Sequence, residues 1–372
     1  MRKIHSQPKT ALRSPSLASP VLSPAQLAIE QALRRTMDSH RSVFDRLPVP
    51  VRLRASGALD AWRNVFRMTG QPGATLSAHL ADSGYAPMLL LREVREFIAT
   101  HGTLNLAMPD VRVMVTTAVN SMLTQAFWAR QGMLYEPTDA LQRLLDLSDI
   151  GSDVPLGLVR LPAPALCLIP EASARSRDGA PESVMVFEHG GPPGCHPPQR
   201  WLTFATSTRD TSPRPVVGSD LLHINIDDGA KTIEQALANV PWKDSDPEGL
   251  RDHWRQVLSY VTKALLYLSL EHVPVEHERP YSSAPRQFPG LGQRKREERL
   301  AAIEQLYDRY LIGPAVMAEV EHRQHGDGQG HSVSPHWRRG HFRMQPFGPA
   351  ASQRKLIFVM PMIVRADRLS GD

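Results

Sequence analysis

The spacing of hydrophobic positions changes near residue 150. Before it, apolar residues recur every three to four positions, the spacing of one helix face. Ser23-Pro24 opens the first such run, serine suiting the N-cap and proline the first turn. A helix is predicted from there to about His40, with Leu27, Ile29, Ala32 and Leu33 on its apolar side. Leu59, Trp62, Val65 and Phe66 predict a second over 56–69, stopped by Gly70, and the pattern repeats over 88–101 before Gly102. Pro109-Asp110 opens a longer helix to Gln131 through Val113, Ala118, Met122, Ala126 and Phe127; another spans 138–147 through Leu141, Leu144 and Leu145. At this period the aromatic and methionine positions read as core.

Beyond 150 the texture is that of short strands. Residues 149–170 hold four prolines and end in an apolar run at 165–169. Further runs at 183–187, 201–206 and 221–226 predict strands. Helices are predicted over 232–240 and, opened by Asp246-Pro247, through Leu270, the latter carrying Trp254, Val257, Leu258, Val261 and Leu265. Residues 274–289 read as loop. The charged helix over 295–307 has alternating signs that suit a solvated face. A short strand is expected at 310–313, then a Gly/His/Gln linker at 322–330. The chain closes with a basic strand and an apolar one, 355–364, joined by residues 345–355 with two prolines and a glycine, a hairpin with a long loop.

The expected fold class is therefore α+β: an N-terminal helical region followed by a mixed strand/helix domain closed by a C-terminal β-hairpin. The expected divisions are a disordered basic tail at 1–22, a mainly helical domain at 23–148, and an α+β domain at 149–372 with the hairpin at 333–366.

Composition sharpens this in three ways. A hydrophobic content of 41% over 372 residues suffices for real cores. The formal net charge of +5 is unevenly placed. Residues 1–22 carry Arg2, Lys3, Lys9 and Arg13 with no acid, and residues 331–372 carry seven cations against two acids, so both ends suit a polyanion. Two cysteines, Cys167 and Cys195, are too few for a disulfide scaffold or a cysteine-rich zinc site. No signal peptide or run of about 18 apolar residues is seen, so a cytoplasmic protein without a membrane span is expected.

The densest chemistry lies in Ser334-Pro-His-Trp-Arg-Arg-Gly-His-Phe-Arg. On a regular strand Trp337, Arg339, His341 and Arg343 share one face, and His336, Arg338 and Phe342 the other. A histidine between two arginines suits an anionic ligand such as phosphate, because guanidinium offers a fixed fork of donors and imidazole moves protons near neutral pH. Gly340 complicates the alternation, since glycine within a strand often marks a bulge. A bulge would bring His336 and His341 to one side, a pair that metal-independent RNA cleavage can use. The plainer alternative is a solvated basic edge strand. The candidate site residues are thus His336 and His341 for catalysis, with Arg338, Arg339, Arg343 and Trp337 for RNA or phosphate. No metal site or cofactor is expected. His189-Gly-Gly-Pro-Pro-Gly-Cys-His196 lacks a second well-spaced ligand pair. Its prolines stand where a phosphate loop needs free N–H groups.

The string from Val333 to Val364, with its His-Trp-Arg-Arg-Gly-His order followed by Pro-Phe-Gly-Pro and Arg-Lys-Leu-Ile-Phe-Val, resembles the C-terminal signature of a phage- and plasmid-borne family that includes a type V-A anti-CRISPR protein. The signature covers about a tenth of the chain. The resemblance implies a regulator that recognises a target polypeptide, the nascent N-terminal segment of a CRISPR effector nuclease, and promotes loss of the mRNA under translation. It implies mRNA or ribosome as a further partner. Three classes remain open at this level: such a regulator, a ribonuclease acting through the hairpin, and a non-catalytic interaction module.

Overall fold

A computed structural model describes residues 23–39, 42–68, 111–170, 181–190, 200–208, 218–226, 229, 231–238, 248–316 and 336–364. The expected tail at 1–22, the helix at 88–101 and the linker at 322–330 lie outside the described residues, as do Cys195 and His196.

The protein is α+β. Helices α1 (Pro24–Ser39), α2 (Val49–Ala55), α3 (Ala58–Met68) and α4 (Val111–Ala129) come first. Strand β1 (Met133–Pro137), helix α5 (Asp139–Asp146) and strand β2 (Ser148–Ile150) follow. Then come β3 (Ala165–Leu168), β4 (Pro181–Gly190), β5 (Arg200–Thr208) and β6 (Gly218–Asn225), and helices α6 (Ile233–Ala238) and α7 (Glu248–Leu268). Strand β7 (Val275–Glu278), helix α8 (Gln293–Glu304) and strand β8 (Arg309–Ile312) precede the C-terminal strands β9 (His336–Arg338), β10 (Gly340–Phe347), β11 (Gln353–Val359) and β12 (Met362–Val364).

A seven-stranded mixed sheet, ordered β6-β5-β4-β3-β1-β8-β7, forms the centre. β1 runs parallel to both β3 and β8, and the remaining neighbours are antiparallel. Both faces are buried, which is why β3 and β4 read as continuous apolar runs. Leu166, Leu168, Val184 and Val186 face a core shared with α5 and α7, where Trp254, Val257, Val261 and Leu265 lie. Ala165, Cys167, Met185 and Phe187 face the opposite core, shared with α1, α3 and α4. The N-terminal helices thus form one layer on the sheet. β1, on the N-terminal side of residue 148, is an interior strand of that sheet.

Several expectations change. Residues 274–289 contain strand β7 rather than loop alone. Its Val-Glu-His-Glu sequence has little apolar pattern because it sits at the sheet edge. Strands β1 and β2 and helix α2 were not expected: each is short, strand pairing sets β1 and β2, and α2 is held by burial of Val49, Val51 and Leu53 in the helical layer. α8 stops at Glu304 instead of continuing to 307, and α7 stops at Leu268.

Candidate functional site

Strands β10 and β11 form the C-terminal hairpin, with His341 opposite Val359 and Phe347 opposite Gln353. The connection is only 348–352, shorter than the expected loop, because Gln345, Pro346 and Phe347 remain paired. Gly348, Ala350 and Ala351 turn the chain with positive φ angles of 76°, 51° and 55°. β10 also pairs in parallel with β2, setting His341 beside Asp149 and Phe342 beside Ile150. Beyond a break at Arg339, β9 pairs with β12, with Arg338 opposite Met362 and His336 opposite Val364.

The two ladders share one register. Two residues, Arg339 and Gly340, intervene on one strand, and two, Met360 and Pro361, on the other. No extra residue is inserted, so the bulge considered at Gly340 is absent. Instead the strand is interrupted. A Cβ at Gly340 would stand 2.7 Å from the Pro361 ring and 2.9 Å from the Val359 carbonyl oxygen. Pro361 has no N–H to give to a ladder, and only glycine lets the facing strand pass it this closely. Without a bulge, His336 and His341 keep opposite parity along the chain.

The two faces of β10 differ sharply. Phe342 is fully buried and stacks on Phe358 at 4.6 Å; Phe358 in turn meets Tyr267 of α7 edge-on. Phe342 is therefore an anchor for the hairpin, not part of a binding surface. The strand edge is tied to the body. Gly340 N–H donates to the Leu147 carbonyl, Gly151 N–H to the Phe342 carbonyl at 2.8 Å, and Met344 N–H to Asp153 Oδ2.

On the other face His341 is half-buried and Arg343 exposed. Arg339 is exposed too, but its Nε lies 3.2 Å from Asp149 Oδ2. Its charge is shared with that carboxylate. Lys263 of α7 reaches under this region and donates from Nζ to the Leu145 carbonyl at 3.0 Å, near the C-terminus of α5. Burial lowers the Lys263 pKa, with the Asp149 carboxylate opposing the shift. Among the described residues no acid pairs with Arg338 or Arg343. Trp337 and His336 are placed on β9, opposite Ile363 and Val364.

The hairpin projects as it leaves the body. Arg354 and Lys355 are exposed, the Lys355 ammonium lies 5.8 Å from the centre of the Phe347 ring, and Phe347 is itself 40% exposed. Residue-level reading did not nominate Phe347, Arg354 or Lys355. Their signal was visible as charge and an aromatic, but the nearby prolines and glycine assigned them to a turn. Arg343 and Lys355 share the face of this arm that carries Phe347 at its end, and Arg338 and Arg354 are exposed on the other face.

A family model for the anti-CRISPR type V subtype A2 family matches residues 135–366, more than half of the chain, and includes the whole hairpin. The chain belongs to this family. A solved structure, the crystal structure of AcrVA2, aligns with 91% of this chain and 97% of that one, at 14% identity and a TM-score of 0.45. No curated protein matches. Family membership makes this a type V-A anti-CRISPR-type protein and points to CRISPR components as what it acts against.

Among the described residues no group of three or more His, Cys, Asp or Glu side chains could hold a metal ion. Cys167 is fully buried, and burial pushes its thiol up to about 12, which leaves it unreactive. No helix among the described residues is long and apolar enough to cross a membrane.

Proposed function

We propose that this chain suppresses production of a type V-A effector nuclease by recognising the N-terminal segment of the nascent polypeptide and promoting loss of its mRNA. The C-terminal arm is then the RNA-facing element. One observation carries that assignment: Arg343 and Lys355 stand exposed, on the same side as Phe347, on a hairpin whose opposite face is anchored in the core through Phe342, and Arg338 and Arg354 are exposed on the flanking positions of the Phe342 side. Such an arm holds its cations in fixed positions for backbone phosphates, and Phe347 offers a stacking face. Arg339 contributes less, because Asp149 already engages it.

The test is a salt titration of single-stranded RNA binding. Arg343→Glu is expected to weaken binding. It should also flatten the dependence of log affinity on log salt by about 0.7 for each phosphate no longer neutralised. Unchanged affinity and slope in a variant with the wild-type melting curve would remove the arm from RNA recognition.

A further inference from the structure

The seven-stranded sheet ends at β7, and the backbone there is poised to take another strand. β7 pairs antiparallel with β8, Glu276 opposite Leu311 and Glu278 opposite Arg309. Gly313 N–H donates to the Pro274 carbonyl, which fixes the alternation: residues 274, 276 and 278 turn their polar groups toward β8. The N–H and C=O groups of Val275 and His277 therefore point outward. Exposed edges are usually guarded by shortness, charged side chains, proline or a bulge. β7 has the first two, being four residues long with two glutamates, but it carries no lysine, internal proline or bulge, so its guard admits a basic strand and repels an acidic one.

The edge is rigidly mounted. Arg309 bridges Glu278 (Nε–Oε2 2.7 Å) and Glu136 of β1, and Tyr307 donates to Glu136 at 2.7 Å. The rings of His277, Tyr310 and Tyr135 stack in a row across β7, β8 and β1, at 4.1 and 5.0 Å. Beyond β7, Asp308 accepts from the backbone N–H groups of Tyr281 and Ser282. The side chains along the edge are acidic in a chain that is basic as a whole. Three of the four charged residues in 271–279 are carboxylates, and of these only Glu278 is ion-paired among the described residues. Val275 adds an apolar contact, 45% exposed.

We propose that β7 is the docking edge for an extended, basic polypeptide segment, which adds as a further strand beside Val275 and His277 with its cations toward Glu271 and Glu276. This rests on the reading that the chain recognises a target polypeptide, and it places that recognition on the sheet edge. Backbone pairing supplies affinity with little demand on sequence, and the acidic flank selects charge.

The test measures binding of the full chain to a synthetic peptide carrying the N-terminal segment of a type V-A effector nuclease. Val275→Pro, which removes an outward N–H, and Glu276→Lys are each expected to weaken binding about tenfold or more, the scale of one or two missing backbone hydrogen bonds or a reversed charge. A second arm leaves the protein untouched. Peptides N-methylated at alternate residues should lose binding in one phase and keep it in the other, because only every second amide of an added strand faces its neighbour. Equal binding by wild type, both variants and both methylation phases would overturn the docking edge while leaving polypeptide recognition standing. No binding of the unmodified peptide to wild type would overturn recognition itself, and the edge with it.

Discussion

His189, Thr203 and His223 lie side by side on β4, β5 and β6. Thr203 Oγ1 is 2.8 Å from His189 Nε2 and 2.8 Å from His223 Nδ1, while His189 Nδ1 is 2.8 Å from the Gly190 carbonyl. A carbonyl only accepts, so His189 carries its proton on Nδ1. Its Nε2 then accepts from the threonine hydroxyl, whose oxygen accepts from His223 Nδ1–H. The chain of donors closes with both rings neutral. Burial lowers the His189 pKa and pushes His223 down to about 4, with His189 adding to the shift. Folded pKa values below the unfolded value near 6.5 mean that the unfolded chain binds more protons between pH 6.5 and about 4. This stability is present above pH 6.5 and lost as pH falls through that window. Thermal unfolding at pH 7 and pH 5 should show wild type losing about 2 kcal/mol more than His223→Asn, at 1.36 kcal/mol per pKa unit. Equal losses would show that the relay does not couple to folding.

The same scale separates anchors from ligands in the hairpin. Phe342→Ala empties a fully buried aromatic site and should cost about 3–5 kcal/mol. Arg339→Ala breaks an exposed pair with Asp149 and should cost under about 1 kcal/mol. Denaturant melts of the two variants check this ordering. If the losses were similar, Phe342 would not be what holds the arm.

At the scale of elements, Gly340 and Pro361 set the break between the two ladders. Gly340→Ala should lower the melting temperature, because its Cβ would meet the Pro361 ring and a backbone oxygen, neither of which is a flexible side-chain end. A variant with the wild-type melt would mean the strands separate freely there. The hairpin itself was legible in the sequence, since an apolar run at 355–364 needs a partner and the turn residues lie between. The arm's reach was not. Prolines at 346 and 349 look like loop, yet Pro346 pairs within β10 opposite Arg354. Helices α1, α3, α5 and α7 were legible from their period. α5 also shows its start, where Thr138 Oγ1 accepts from Leu141 N–H. β1 and β7 were not legible. Met133–Pro137 is a strand because β3 and β8 flank it, and β7 because β8 offers an edge, neither of which a local window contains.

At the scale of the molecule, two surfaces of opposite character stand on separate sheets. The β7 edge of the central sheet carries Glu276, which has no ion pair among the described residues. The arm carries Arg338 and Arg343, likewise without an acid partner there, on its own strands, and β2 ties it to the body. These two arginines were readable from sequence as a basic cluster. That Arg339 is partly neutralised was not readable, because Asp149 lies far away in the chain and meets it only through the β2–β10 pairing. The proposed function would assign the polypeptide to one of these surfaces and the message to the other, and each can be changed without touching the other.

The measurement that bears most directly on this account is the steady-state mRNA and protein level of a co-expressed type V-A effector nuclease. It compares wild type, an Arg338→Glu/Arg343→Glu variant of unchanged melting curve, and no added chain. Transcript and protein should both fall with wild type and recover with the variant. Transcript levels that are the same in all three would contradict it.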